Sequence, residues 1–358
     1  MTPTFDKIHL KFKLNGTSFN RKELKEVAYS LVKEGEPYEK SAGSFLLDWL
    51  DAKDYVLVST SGTTGLPKTI KLKKASMVNS AIMTGDYFKL KPGDTALHCL
   101  PSRYISGKMM LVRAMILGLE LDMIAPTLQP AYDEKKCYDF AAMIPLQLKN
   151  SLHKVNHIKT LIVGGASVSQ SLASDIQGLK TNIYETFGMT ETISHIAVKK
   201  LNHTRTNSIV FETLPNINIS KNDKDCLVIN APKLSSETIE TKDVIDLISE
   251  NEFKLIGRYD NMINTGGVKV YPELIEMKLQ GLIASRFFIA SEKDSDFGEK
   301  VILVIEGDST NFNTDVFTQL EKHEVPKNIY HMPEFIETGT GKIQRQKILD
   351  SVLSTFTH

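Results

Sequence analysis

Along this chain the apolar positions switch between two periods. Spacings of three and four residues predict amphipathic helices over 21–34, 42–50, 76–88, 107–117 and 169–178. Short apolar and β-branched runs bounded by turn residues predict strands over 55–58, 95–100, 119–124, 159–163 and 182–187. Strand–helix alternation through the first two thirds implies a large layered α/β domain with mostly parallel sheets. Residues 7–14 alternate charged and apolar side chains as an edge strand does, and 208–230 read as short alternating strands, a small β unit. The pattern changes again at the turn-rich run Gly257-Arg258-Tyr259-Asp260-Asn261. After it come a helix over 273–279, strands over 287–291 and 301–306, a helix over 313–323 and a Gly-rich loop. About a hundred residues of α+β pattern suit a small second domain. The expected division is 1–259 and 260–358.

Composition narrows the class. The 358 residues are enough for roughly two domains. With 43 basic and 43 acidic residues the formal charge is zero, so nothing favours nucleic acid or an anionic membrane surface. No apolar run approaches the ~20 residues of a membrane span, so no stable membrane insertion is expected. The residues after Met1 are polar, unlike a signal peptide. Cys99, Cys137 and Cys226 are isolated and odd in number, which fits a reducing cytoplasm and neither a disulfide framework nor structural zinc.

One stretch stands out chemically. Ser59-Thr60-Ser61-Gly62-Thr63-Thr64-Gly65-Leu66-Pro67-Lys68 follows a predicted strand and is built almost wholly from small hydroxylated residues and glycines, with a terminal lysine. Such a loop offers backbone N–H groups, hydroxyls and an ammonium to a phosphate. The glycine spacing is not that of a Walker A loop.

The loop resembles the phosphate loop of the acyl-adenylate-forming enzymes, with Thr69 where that family usually has Gly. Further motifs continue the resemblance in the family's order over roughly residues 54–350. Gly164-Gly165-Ala166-Ser167 resembles the turn whose backbone lies against adenine. Tyr184-Glu185-Thr186-Phe187-Gly188-Met189-Thr190-Glu191 resembles the family's Tyr-Gly-x-Thr-Glu, with Phe187 in place of Tyr. The resemblance implies adenine packing for Phe187 and Gly188, α-phosphate binding for Thr190 and Mg²⁺ ligation for Glu191. Thr241-Lys242-Asp243 stands where the family has Thr-Gly-Asp, so Asp243 is expected on the ribose hydroxyls, with Arg258 nearby. Gly257-Arg258-Tyr259-Asp260 resembles the family hinge, centred on Asp260. The Gly266-Gly267 loop resembles the wall of the thiol tunnel. Thr338-Gly339-Thr340-Gly341-Lys342 resembles the C-terminal motif whose lysine, Lys342, enters the adenylation site by domain rotation. Implied partners are ATP, Mg²⁺, coenzyme A and a small carboxylic acid.

The acid is addressed by Pro101-Ser102-Arg103-Tyr104-Ile105-Ser106-Gly107, similar to the family's acyl-site segment but with Tyr104 at the position of a His. Ser106 followed by Arg113 resembles the o-succinylbenzoate–CoA ligases of menaquinone synthesis, in which these two positions lie near the substrate. An acid with two carboxylates needs a cation for the one that does not react, and arginine supplies a planar fork. Arg113 alternatively reads as a helix residue snorkelling to a surface acid. Met109, Met110, Leu111 and Met115 could instead line an apolar tunnel for a medium-chain or aryl acid. Transfer to a carrier protein, or nucleotide binding without turnover, are the other readings. No G-x-S-x-G elbow and no metal-binding histidine pair occurs.

Overall fold

A computed structural model describes residues 3–59, 69–204, 209–308, 312–337 and 343–356. Its main sheet has 13 strands. Six run parallel as neighbours: Lys13–Leu14, Glu120–Met123, Thr95–His98, Tyr138–Met143, Ile158–Val163 and Asn182–Gly188. Thr17–Ser18 closes one edge antiparallel. Beyond Asn182–Gly188 the same sheet continues antiparallel through His195–Lys200, Val210–Thr213, Glu252–Arg258, Ile239–Ser249, Cys226–Asn230 and Asn218–Lys221. The strands expected as a separate β unit therefore extend the main sheet.

Tyr138–Met143, unread in the sequence, has almost every residue buried, so its run lacks the alternation that marks a half-exposed strand. Of the expected edge strand over 7–14 only Lys13–Leu14 pairs. Thr69–Lys73 is a strand rather than loop: it pairs antiparallel with Tyr55–Ser59 in a separate hairpin, with Ser59 opposite Thr69.

Helices cover the parallel block. Arg21–Glu34 starts at Asn20, whose Oδ1 accepts from the Lys22 and Glu23 N–H groups while Glu23 accepts from Asn20 N, a reciprocal cap. The next helix begins at Pro37, earlier than its apolar spacing suggests, because proline suits a first helical turn. Ile105–Leu117 is buried on all sides from Gly107 to Ile116, the mark of a core helix. Met109, Met110, Leu111 and Met115 are fully buried there within the main core, so they act as packing. Each such side chain contributes about 1.5–3 kcal/mol by leaving water.

A second, five-stranded sheet gathers Ile263–Thr265, Val268–Val270, Phe287–Asp294, Gly298–Glu306 and Asn328–Met332, with helices Pro272–Leu279 and Arg345–Phe356 and its own apolar clusters. The helix expected over 313–323 is only a 3₁₀ segment, Thr314–Gln319. The helix expected over 169–178 shrinks to Gln170–Asp175, capped by Ser169. Cys99 and Cys226 are buried and Cys137 is exposed; all three are free thiols. Among the described residues no helix is long and apolar enough to cross a membrane.

Candidate active site

Gly164 to Ser167 follow the strand Ile158–Val163, and Phe187 and Gly188 end the neighbouring strand Asn182–Gly188, the last of the parallel block. Gly164 and Gly165 end the strand Ile158–Val163, and each glycine has a reason. A Cβ on Gly164 would lie 2.3 Å from Thr186 Oγ1, and Gly165 has φ +87°. Gly165, Ala166 and Ser167 are exposed, so a planar ligand could lie on this backbone. The Glu185 carboxylate, paired with Lys199 at 2.6 Å, accepts from Val168 N and ties the turn to the next strand.

Phe187 packs edge-on to Phe211 and Phe253 and remains partly exposed. Thr190 and Glu191 do not start a helix, so the capping role open to a Thr-Glu pair is ruled out. They lie in a tight turn held by Thr192, whose Oγ1 accepts from Met189 N at 3.0 Å and donates to Ser194 O at 2.8 Å. Glu191 is exposed, and among the described residues no three His, Cys, Asp or Glu side chains converge. This fits a Mg²⁺ held by one carboxylate with phosphate and water completing the shell. Ile193 sits at φ +67°, a costly conformation for a β-branched residue.

Asp243 and Arg258 face each other on paired strands, 3.3 Å apart. Asp243 is 7% exposed. Burial raises its pKa above 3.8, and Arg258 and the Thr241 hydroxyl only partly offset this. Lys242 lies in the strand Ile239–Ser249 and not in a turn, so a side chain in place of the family's glycine is accommodated. Its Nζ meets both Asp260 oxygens at 3.0 and 2.8 Å. Asp260 lies in a 3₁₀ turn, Tyr259–Asn261, between the two sheets.

Gly266 and Gly267 form the two-residue link of the hairpin Ile263–Thr265/Val268–Val270, both at positive φ as a type I′ turn requires. Pro272 opens the following helix. Thr60 to Lys68 and Lys342 lie outside the described residues. Glu337 bridges Ile343, and Gln344 Nε2 donates to Glu337 O. Arg345 then grips Glu276 with two bonds of 2.8 Å.

At the acyl segment, Tyr104 is the N-cap residue of the Ile105–Leu117 helix, with the Arg103 guanidinium over its ring at 4.7 Å. His98 Nε2 lies 2.9 Å from Ser102 Oγ, binding this segment to the end of a parallel strand. Burial pushes the His98 pKa down to about 4. Ser106 is exposed on the first turn, while Arg113, seven residues on and about 10 Å deeper on the same stripe, is 2% exposed. Arg113 does not snorkel to a surface acid. Its partners are neutral: Thr84 Oγ1 at 3.3 Å, Met110 Sδ at 3.6 Å, Ser194 Oγ at 2.7 Å and His195 Nδ1 at 3.4 Å. Burial lowers its pKa to about 10, which leaves it charged at neutral pH. Thr84, Ser194 and His195 were not legible as site residues, since contacts from a helix and a distant strand have no local signature.

The sequence matches the family described as AMP-binding enzyme over residues 20–225. The chain belongs to that family. A 2-succinylbenzoate–CoA ligase from Lactococcus lactis is 24% identical over 333 residues, covering 85% of this chain and 73% of that protein. The structure of an acyl-CoA synthetase (AMP-forming)/AMP-acid ligase II-like protein from Dyadobacter fermentans is 34% identical, with TM-score 0.62 and coverage of 91% of this chain and 98% of that one. The fold is also similar to an o-succinylbenzoate–coenzyme A synthetase from Bacillus subtilis solved with ATP and magnesium, at 19% identity, TM-score 0.70 and 82% and 69% coverage.

Proposed function

We propose that this chain is an AMP-forming acid–CoA ligase whose acid is o-succinylbenzoate. A carboxylate oxygen attacks the α-phosphorus of ATP, giving the acyl adenylate and pyrophosphate. The CoA thiol then attacks the acyl carbon, forming the thioester and releasing AMP. In the first step Ser59 to Lys68 grip the leaving phosphates, Thr190 binds the α-phosphate and Asp243 and Arg258 hold the ribose. Gly165, Ala166, Ser167, Phe187 and Gly188 frame the adenine. Mg²⁺ on Glu191 supplies charge neutralisation at the phosphates. Lys342 offsets the charge that develops as the carboxylate attacks. Rotation of the second domain about Asp260 then withdraws Lys342 and brings the Gly266-Gly267 turn to the site, so one constellation need not fit both transition states.

The observation that carries the choice of acid is the buried Arg113, charged and without a carboxylate among the described residues. An unpaired buried cation is expensive unless a ligand supplies its anion. Ser106, at the shallow end of the same stripe, and Tyr104 beside it would contact the rest of the acid. The test is AMP release over a panel of acids. Arg113→Ala should cost the o-succinylbenzoate reaction about 2–5 kcal/mol while sparing monocarboxylic acids. An unchanged preference would remove the argument for a diacid. Thioester appearing only on a holo-carrier protein would redirect the second step.

A further inference from the structure

Arginine has five N–H donors and no acceptor. On Arg113, Nε is taken by Thr84 and one terminal nitrogen by Ser194 and His195, and among the described residues the other meets only the sulfur of Met110. The His195 Nδ1 that faces this cation also lies 3.3 Å from Ser194 Oγ. Facing a pure donor, Nδ1 serves as acceptor, so the neutral ring carries its proton on Nε2. His195 is 6% exposed, and its Nε2 is buried with no partner among the described residues. The chain reaches this arrangement through unusual backbone. Ile193 is left-handed, and the register between the strands slips between His195 and Ala197. The strained turn and the slip together place Ser194 and His195 against Arg113.

We infer that His195 is a positioning and specificity residue for a dicarboxylic acid. Its Nδ1 fixes the Arg113 fork so that the nitrogen facing only sulfur is left for the carboxylate that does not react. Its Nε2–H supplies a further donor to that end of the acid. The inference rests on Arg113 being the receptor for this carboxylate and extends it to a residue that the motifs leave unassigned.

The test uses the full chain and two acids, o-succinylbenzoate and 4-oxo-4-phenylbutanoate, which lacks the ring carboxylate. H195L should raise KM for the diacid about tenfold or more, leave kcat within about threefold, and leave KM for ATP and use of the monoacid unchanged. H195Q keeps both an acceptor and a donor and should recover the diacid KM. Rescue by glutamine and selectivity between the acids are readouts that a purely structural histidine would not give. If Arg113→Ala loses the diacid preference but H195L keeps it, the inference is overturned and the diacid reading stands. Equal loss of both acids in H195L without recovery in H195Q also overturns it. If Arg113→Ala itself changes nothing, the diacid reading fails first.

Discussion

The acyl corner and the hinge corner handle charge in opposite ways. At the first, Arg113 is 2% exposed, and among the described residues its guanidinium bonds only to hydroxyls, a sulfur and an imidazole. At the second, Lys242 meets Asp260 and Arg258 meets Asp243, and three of these four side chains are 45–61% exposed. Exposed pairs of this kind are worth about 0–1 kcal/mol and exchange partners readily. A buried lone cation cannot exchange partners and has to be satisfied by what binds. Rigid recognition therefore belongs to the acyl corner, and rearrangement to the hinge corner.

The largest effect that separates them concerns the two half-reactions. If Lys342 serves only the first conformation, as proposed, Lys342→Ala should abolish acid-dependent pyrophosphate release yet leave thioester formation from supplied acyl adenylate largely intact. Arg113→Ala should weaken both halves, because the acid is held throughout. Equal damage to both halves by Lys342→Ala would break the contrast and the rotation about Asp260 with it.

Stability should move the other way at Arg113. Arg113→Met removes a buried charge whose folded-state pKa burial lowers to about 10. Replacing buried charge with a packed apolar side chain stabilises by about 1–4 kcal/mol, less here because Ser194 and His195 lose a donor. The expected outcome is a higher thermal midpoint in the same variant that loses the diacid. A lower midpoint would mean that the cation's bonds outweigh its desolvation.

Much of the hinge corner was legible in the sequence because its residues follow one another along a few strands. Asp243, Arg258 and Asp260 fall within a run of eighteen residues, and strand pairing brings the first two together. The acyl corner was legible only in part. Arg113 was singled out by its spacing from Ser106 in the family resemblance, but Thr84 lies 29 positions before it and Ser194 81 after. The side chains that leave the guanidinium without an anion are set by packing between layers, for which periodicity has no sign. Lys242 stands where the family has Gly, and its place in a strand explains why a side chain is tolerated there.

Asp243 gives a smaller effect with a clear sign. Burial, the largest cause, raises its folded pKa above 3.8, and Glu273 adds to it. Ribose hydroxyls need the charged carboxylate as acceptor, so KM for ATP should rise as pH falls through that raised value. The stability linkage runs oppositely. Because the folded pKa exceeds the unfolded one, this residue's contribution is full below the unfolded pKa and is lost as pH rises through the folded one. Asp243→Asn should weaken ATP binding at neutral pH, flatten the acid limb and remove this stability term. An acid limb that persists in the variant would assign it to another group.

The smallest effect tests whether the hinge corner is as exchangeable as its exposure implies. Lys242 and Asp260 form a two-bond pair across the point where the main sheet ends. Asp243, next along the strand, points to the opposite face, so the lysine can be changed with little disturbance at the ribose. Glutamine is the better probe than the family's glycine, since a glycine inside a strand adds its own backbone cost. A pair worth about 0–1 kcal/mol should change the balance between adenylate and thioester formation by no more than about fivefold. Added salt screens exposed charges, so it should shift the natural protein towards the behaviour of Lys242→Gln and leave that variant unmoved. The check is the ratio of acyl adenylate to thioester at low and high salt. A salt response that survives Lys242→Gln would place the responsive charges at another exposed pair, Arg258 and Asp243 among them.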